Sequence, residues 1–237
     1  MPELGISAVH VWHSALELPP VQLQRLETLL SRDEQQRAAR FALAAPRAAF
    51  VAARGILRQL LAGYLGVDPR RLRFCYERRG KPALDPSLGS DLTFNVSHSH
   101  GVALFAVGRG RRLGIDVEHI RAGRDSAKIA QRFFSPSEAA ALDALPAALR
   151  RRAFYACWTR KEAFVKAMGT GITHPLDSFE VSVAPDEPAT LVHIDGDRRR
   201  ALDWRLRDLH FDRDYAAALA VEGHDWQLSC HERHPEA

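Results

Sequence analysis

The sequence holds three groups of residues whose types and spacing could do chemistry. The first is Gly114-Ile115-Asp116-Val117-Glu118. Side chains alternate along a strand, so Asp116 and Glu118 share one face and Ile115 and Val117 the other. Adjacent carboxylates repel, and a cation relieves the repulsion. Oxygen ligands with no cysteine nearby suit Mg²⁺ or Mn²⁺. The same pattern also describes a solvent-facing acidic strand edge. The second group runs from Trp158 to Gly169. On a helix, Trp158, Glu162 and Lys166 lie four apart on one face. Glu162 is then a third carboxylate, with Lys166 one turn on as counter-charge for a metal-bound phosphate. The plain alternative is an ordinary Glu–Lys helical pair, worth ~0.3–0.5 kcal/mol. The third group is Phe94-Asn95-Val96-Ser97-His98-Ser99-His100-Gly101 at a strand end. Its hydroxyls, histidine and glycine can receive a phosphate closely. His98 and His100 could instead be zinc ligands completed by Asp116, or structural turn histidines.

The elements that must position these groups follow from hydrophobic periodicity. A strand is expected at Val9–Trp12, then a helix over Val21–Phe41 and a second helix opened by Pro46 and closed by Gly66 and Pro69. Strands follow at Arg71–Glu77, Leu92–Ser97, Val102–Val107 and Leu113–Glu118. The last is expected to complete a hairpin through a glycine–arginine turn. In the second half, Ser126–Phe134 reads as a short helix. Ser135, Pro136 and Glu138 form a helix start with Ser135 as N-cap and Glu138 as the capping-box acid. A long helix spans about Ala148–Met168. Strands are expected near Phe179–Val183, Thr190–Ile194, Leu202–Leu209, Tyr215–Val221 and Trp226–His231. Both halves run helices first and then a strand meander, and Ala103–Gly108 resembles Ala217–Gly223. The expected fold is α+β: a pseudo-two-fold pair of similar lobes, 1–108 and 109–237, each with helices on a mainly antiparallel sheet and the active site in the cleft between them.

Composition narrows the class. The chain has 237 residues, 46% of them hydrophobic, enough for a real core. No run is apolar enough for a membrane helix, and Met1-Pro2-Glu3-Leu4 lacks the order of a signal peptide. Three widely spaced cysteines, Cys75, Cys157 and Cys230, argue for a reducing compartment and against a disulfide framework or a cysteine zinc site. The expected location is the cytoplasm. A formal net charge of +4 favours anionic partners. No nucleic-acid motif accompanies it. Arg109-Gly110-Arg111-Arg112 and Arg198-Arg199-Arg200 read as solvated hairpin turns.

Taken together, the blocks resemble the 4′-phosphopantetheinyl transferase superfamily, in its stand-alone two-lobed form. The ordered match consists of Gly80-Lys81-Pro82, Phe94 to Ser99, Gly114 to Glu118, Arg132-Phe133-Phe134-Ser135 with Glu138, Trp158 to Lys166, and Pro175-Leu176-Asp177-Ser178-Phe179. The resemblance implies Mg²⁺ held by Asp116, Glu118 and Glu162 against the pyrophosphate of coenzyme A. It implies that Ser97 and His98 contact the phosphates and the adenosine end, that Lys166, beside Lys161, reaches the pyrophosphate, and that Gly80, Lys81 and Pro82 form the adenine-side loop. Arg47 and Arg54 fall where the family places basic residues for the 3′-phosphate, with Arg37 and Arg40 as rivals. Glu138 matches a position treated as a base or metal neighbour, although its capping-box role suffices for a glutamate there.

The implied reaction is transfer of the phosphopantetheine arm of coenzyme A to a serine of an apo acyl or peptidyl carrier protein, releasing 3′,5′-ADP. Asp116, Glu162 and Lys166 carry the chemistry, with Glu162 deprotonating the serine. The acidic carrier helix would meet arginines around Arg121, Arg124 and Arg132, and the enzyme is expected to be a monomer. Two alternatives stand beside this reading. One is a metal-dependent phosphohydrolase built on Asp116, Glu118, His98 and His100. The other is an inactive module that binds coenzyme A or a carrier protein.

Overall fold

Two strands share one burial pattern, six buried residues between half-buried ends, and each lies inside a different sheet. They are β5 (Val102–Arg109) and β10 (Tyr215–Glu222) in a computed structural model that describes residues 1–76, 80–123, 126–171, 174–184 and 187–233. The first sheet also contains β1 (Ala8–Ala15), β4 (Leu92–Ser99) and β11 (Gln227–Glu232), in the order β11-β1-β5-β4. The second contains β6 (Leu113–His119) and β9 (Trp204–Asp208), in the order β6-β10-β9. Their pairings are antiparallel except for β1 with β11, which is parallel and sets Ala8 opposite Gln227 and Trp12 opposite His231. Small two-stranded sheets flank them: β2 (Phe74–Tyr76) with β3 (Pro82–Leu84), and β7 (Phe179–Val181) with β8 (Leu191–Ile194).

The two main sheets lie face to face. Val9, Val11, Leu104 and Ala106 from the first meet Ile115, Val117, Leu219 and Val221 from the second. Strand alternation turns the next residues outward. Ala103, Phe105 and Val107 pack under α3 (Ala44–Leu65), and Leu206, Ala218 and Ala220 pack under α6 (Ala147–Met168). The result is a helix–sheet–sheet–helix stack. The remaining helices are α1 (Pro20–Glu27), α2 (Arg32–Ala39), α4 (Ser126–Phe133), α5 (Pro136–Ala144) and the short α7 (Arg198–Ala201). The α+β class expected from the sequence is the class observed. No helix among the described residues is long and apolar enough to cross a membrane.

Four local expectations need correction. The helix expected over Val21–Phe41 is two helices, because Ser31 caps α2 in a box with Glu34 and restarts the chain. β6 does not form a hairpin with β5; the turn at Gly110 (φ +60°) carries the chain into the other sheet, where β6 pairs with β10. Arg198 to Arg200 lie in α7, not in a hairpin turn, with Asp197 accepting from the Arg199 amide as its cap. The arginines around Gly110 are engaged: Arg109 pairs with Asp91, Arg111 with Asp225, and Arg112 with Glu222 while stacking on Trp204. Glu77, which closes the expected third strand, lies outside the described residues.

α6 can approach β6 only because residue 114 has no side chain. A Cβ on Gly114 would overlap the carbonyl oxygen of Ala163 and the amide nitrogen of Ala167, both helix backbone. Backbone on both sides cannot yield as a side chain can. Gly114→Ala is therefore expected to destabilise the fold by about 1–3 kcal/mol or more, read as a lower urea midpoint. An unchanged midpoint would show that the helix can shift away without cost.

Candidate active site

The site forms where the edge strands of the two sheets, β4 and β6, run side by side beneath α6. β6 ends its sheet, so among the described residues no strand accepts its outer amides. The side chains of β4 do so instead. Asn95 Oδ1 accepts from the Ile115 amide at 2.9 Å, Ser97 Oγ from Val117 at 3.3 Å and Ser99 Oγ from His119 at 3.1 Å. The alternation of Phe94-Asn95-Val96-Ser97-His98-Ser99 thus has a structural meaning. Phe94 and Val96 belong to the core under α3, and the polar residues between them join the sheets.

Asp116 sits in this seam and is buried. Its Oδ1 accepts from Ser97 Oγ at 2.8 Å and from Lys166 Nζ at 2.6 Å. Its Oδ2 is buried and has no hydrogen-bond partner among the described residues. Desolvating a carboxylate oxygen without a partner is costly, and such an atom is commonly completed by water or an ion. Glu118 follows on the same face and accepts from Ser99 Oγ at 3.1 Å. Glu162 comes down from α6. Its carboxyl is held above the usual carboxylate range, first by desolvation and then by the negative charge of Asp116, with Glu118 adding to the effect and Lys166 opposing it. The three carboxylates foreseen in the sequence are therefore electrostatic neighbours. Among the described residues, no three His, Cys, Asp or Glu side chains converge tightly enough to hold a metal ion in this arrangement. The Lys166 ammonium, bonded to Asp116, neutralises part of the cluster.

Ser97 is fully committed. Its hydroxyl donates to Asp116 and accepts from both the Val117 amide and Lys166 Nζ, the last at 2.9 Å. A hydroxyl offers one donor and two acceptor sites, so none remains for a phosphate in this arrangement. His98 is on the exposed side of β4. Partial desolvation of its ring, and then the nearby Lys166 charge, hold its imidazole below the usual histidine range. His100 turns away from the cluster, in a left-handed backbone conformation (φ +46°), and stacks on His119 with ring centres 4.2 Å apart. The two histidines do not form a zinc site with Asp116.

The neighbours of Glu162 on α6 point elsewhere. Lys161 is fully buried, and its three donors are used by Glu138 at 2.8 Å, the Leu176 carbonyl at 2.8 Å and the Phe179 carbonyl at 2.7 Å. The structure does not bring Lys161 to the carboxylate cluster, so its expected role toward coenzyme A is replaced by a structural one. Glu138 is buried too. It accepts from the Ser135 amide at 2.9 Å and the Val181 amide at 2.8 Å, which makes it a helix cap and core ion pair. These bonds also explain the Pro175–Phe179 block, whose carbonyls hold Lys161. Arg160, equally buried, makes two bonds to Asp208 at 3.0 and 2.6 Å. Trp158 packs against Phe134 and Phe154 and anchors the helix above the site.

Lys81, just before β3, donates to the Leu113 carbonyl at 3.1 Å and the Lys166 carbonyl at 2.8 Å. It thereby satisfies an end carbonyl of α6 and pins it to β6. Gly80 takes a left-handed conformation (φ +83°) with open space at its Cβ position, and Pro82 begins β3. Arg47 pairs with Glu27. Arg54 lies near buried Glu34 at 3.6 Å, between the rings of Phe50 and Phe74, and Arg58 bonds Glu34 at 2.6 Å. Arg37 and Arg40, both exposed, line a separate cleft with Phe41 and Tyr76. Arg121 and Arg132 are exposed, and Arg124 lies outside the described residues. Sequence reasoning missed the bonds of Asn95 and Ser99 to β6. Their period-two spacing with Ser97 was the available signal.

Residues 19–108 match the family model described as 4′-phosphopantetheinyl transferase, N-terminal, and residues 112–220 match that of the 4′-phosphopantetheinyl transferase superfamily. The chain is 44% identical over 220 residues to the 4′-phosphopantetheinyl transferase HetI of Nostoc sp., covering 92% of this chain and 90% of that one. It is 33% identical over 171 residues to a 4′-phosphopantetheinyl transferase of Bacillus subtilis, covering 72% of each. A solved structure, the holo-[acyl-carrier-protein] synthase of Thermotoga maritima, aligns with 47% of this chain and 62% of its own at a TM-score of 0.36 and 28% identity. The chain belongs to the 4′-phosphopantetheinyl transferase superfamily.

Proposed function

We propose that this enzyme transfers the 4′-phosphopantetheine arm of coenzyme A to a serine hydroxyl of an apo acyl or peptidyl carrier protein. The observation that carries the reading is the buried Asp116, with one oxygen unpartnered, beside Glu118, Glu162 and Lys166. An all-oxygen donor set with an orphaned buried carboxylate oxygen fits Mg²⁺ or Mn²⁺. Asp116, Glu118 and Glu162 are the residues that would hold the ion. When bound, it supplies positive charge to the pyrophosphate.

In the proposed step, the serine oxygen forms a bond to the phosphorus that carries the pantetheine. The bridging P–O bond breaks, and 3′,5′-ADP leaves with the electron pair. Glu162 takes the serine proton. Lys166 donates hydrogen bonds to the developing phosphate charge once the substrate competes for it with Asp116, and Ser97 holds both in place. His98 faces the open side, where the phosphates would lie. Arg47 and Arg54 remain the arginines proposed for the 3′-phosphate, with Arg37 and Arg40 as rivals; Arg54 Nη1 is buried and unpartnered among the described residues. The division at 108/109 is retained as a working one, supported by the separate helical layers, with β11 returning to the first sheet. A cytoplasmic location remains part of the proposal, supported by three free cysteines, and so does a monomer, on the analogy that the two halves of one chain form the site.

The test is intact mass spectrometry of an apo carrier protein incubated with the enzyme, coenzyme A and Mg²⁺. A gain of one phosphopantetheine arm is expected, abolished by a chelator or by changing the carrier serine to alanine. Coenzyme A breakdown without carrier modification would indicate a hydrolase. Binding without either product would indicate an inactive module.

A further inference from the structure

The seam between β4 and β6 repeats one unit. Ser97 accepts from the amide of Val117 and donates to the carboxylate of Asp116, the preceding residue. Two residues on, Ser99 accepts from the amide of His119 and donates to the carboxylate of Glu118, again the preceding residue. One rung earlier, Asn95 accepts from the Ile115 amide, but the preceding residue is Gly114, which has no carboxylate to hold. The rungs therefore separate two jobs. Asn95 only sets register, whereas each serine also aims an acid.

We infer that Ser99 is the positioning residue for Glu118 and thereby sets the affinity of the carboxylate cluster for a divalent cation. The inference rests on the proposed metal role of the cluster. A β6 edge closed by an ordinary backbone ladder would satisfy the same amides but would offer no hydroxyl to the carboxylates. Glu118 is half-buried and has rotamers that lead away from Asp116. The Ser99 hydroxyl selects among them. Its bond to the His119 amide fixes the hydroxyl itself, so the aim is set by the backbone of the same strand that carries Glu118. Outer residues that orient ligands in this way commonly change metal affinity when removed.

The experiment uses the full chain with coenzyme A and Mn²⁺ as the probe, reading free Mn²⁺ by electron paramagnetic resonance and the thermal midpoint in parallel. Ser99→Ala is expected to raise the Mn²⁺ Kd by roughly tenfold, and Ser99→Thr, which keeps the hydroxyl, to stay within about threefold of the parent. Asn95→Ala is expected to lower the thermal midpoint while leaving Mn²⁺ affinity near that of the parent. If Glu118→Gln weakens Mn²⁺ but Ser99→Ala does not, the inference is overturned and the metal reading stands. If Asn95→Ala weakens Mn²⁺ as much as Ser99→Ala, the effect is strand register and the inference is likewise overturned. If the parent fails to bind Mn²⁺, or Glu118→Gln binds it normally, the metal reading falls and takes the inference with it. Should Ser99→Ala not fold, Ser99→Cys, a weaker donor of similar size, is read on the same scale and must also bind Mn²⁺ more weakly.

Discussion

Replacing Glu162 with glutamine is expected to lower carrier modification by ~10²–10⁴-fold while leaving coenzyme A binding largely intact. The substitution preserves shape and removes both the charge and the ability to take a proton. Lys166 would keep its bonds to Ser97 and Asp116, so the floor of the site should persist. Isothermal titration with coenzyme A, beside single-turnover kinetics, separates binding from chemistry. Turnover near that of the parent would remove Glu162 from the mechanism. Lost coenzyme A affinity with intact turnover at saturation would make it a binding group only.

The second large effect concerns the adjacent lysine and is one of stability. Lys161→Met should cost about 3–5 kcal/mol, because it leaves Glu138 buried without its cation and frees the Leu176 and Phe179 carbonyls. Methionine keeps most of the volume, so the loss reports the charge and its hydrogen bonds rather than a cavity. Chemical denaturation provides the measurement. In the fraction that folds, the KM for coenzyme A should match the parent value. Parent-like stability with a raised KM would place Lys161 at the ligand after all.

The pair Lys161–Glu162 shows where sequence reading reaches its limit. The two residues are adjacent in a motif, and both are of types that suit a phosphate-metal site. A helix turns about 100° per residue, so one faces the cleft and the other the core. Four-residue spacing correctly grouped Trp158, Glu162 and Lys166 on one face, but it could not tell which neighbours served the fold. Alternation in β6 likewise paired Asp116 with Glu118. It did not reveal that β6 leaves the first sheet, since period-two burial identifies a face and not the strand alongside. The break between α1 and α2 was legible: Ser31 and Glu34 carry the capping-box spacing, though the apolar pattern runs through them. The similarity of Ala103–Gly108 to Ala217–Gly223 had a structural basis in the equivalent places of β5 and β10. Asn95 and Ser99 were hidden because side chains standing in for a missing strand have no signature apart from ordinary strand polarity.

The parallel pairing of β1 with β11 has a consequence for synthesis on the ribosome. β1 emerges before β4 and β5, which complete three of the four strands of its sheet by residue 109. The edge reserved for β11 must then wait until residues 227–232 are made. At ordinary elongation speeds that wait is on the order of ten seconds. Throughout it, a nascent chain carries an open strand edge of the kind that recruits other chains. Closure of the first sheet therefore trails the synthesis of its other three strands, and the burden of protecting the growing chain falls on the interval between its fifth strand and its eleventh.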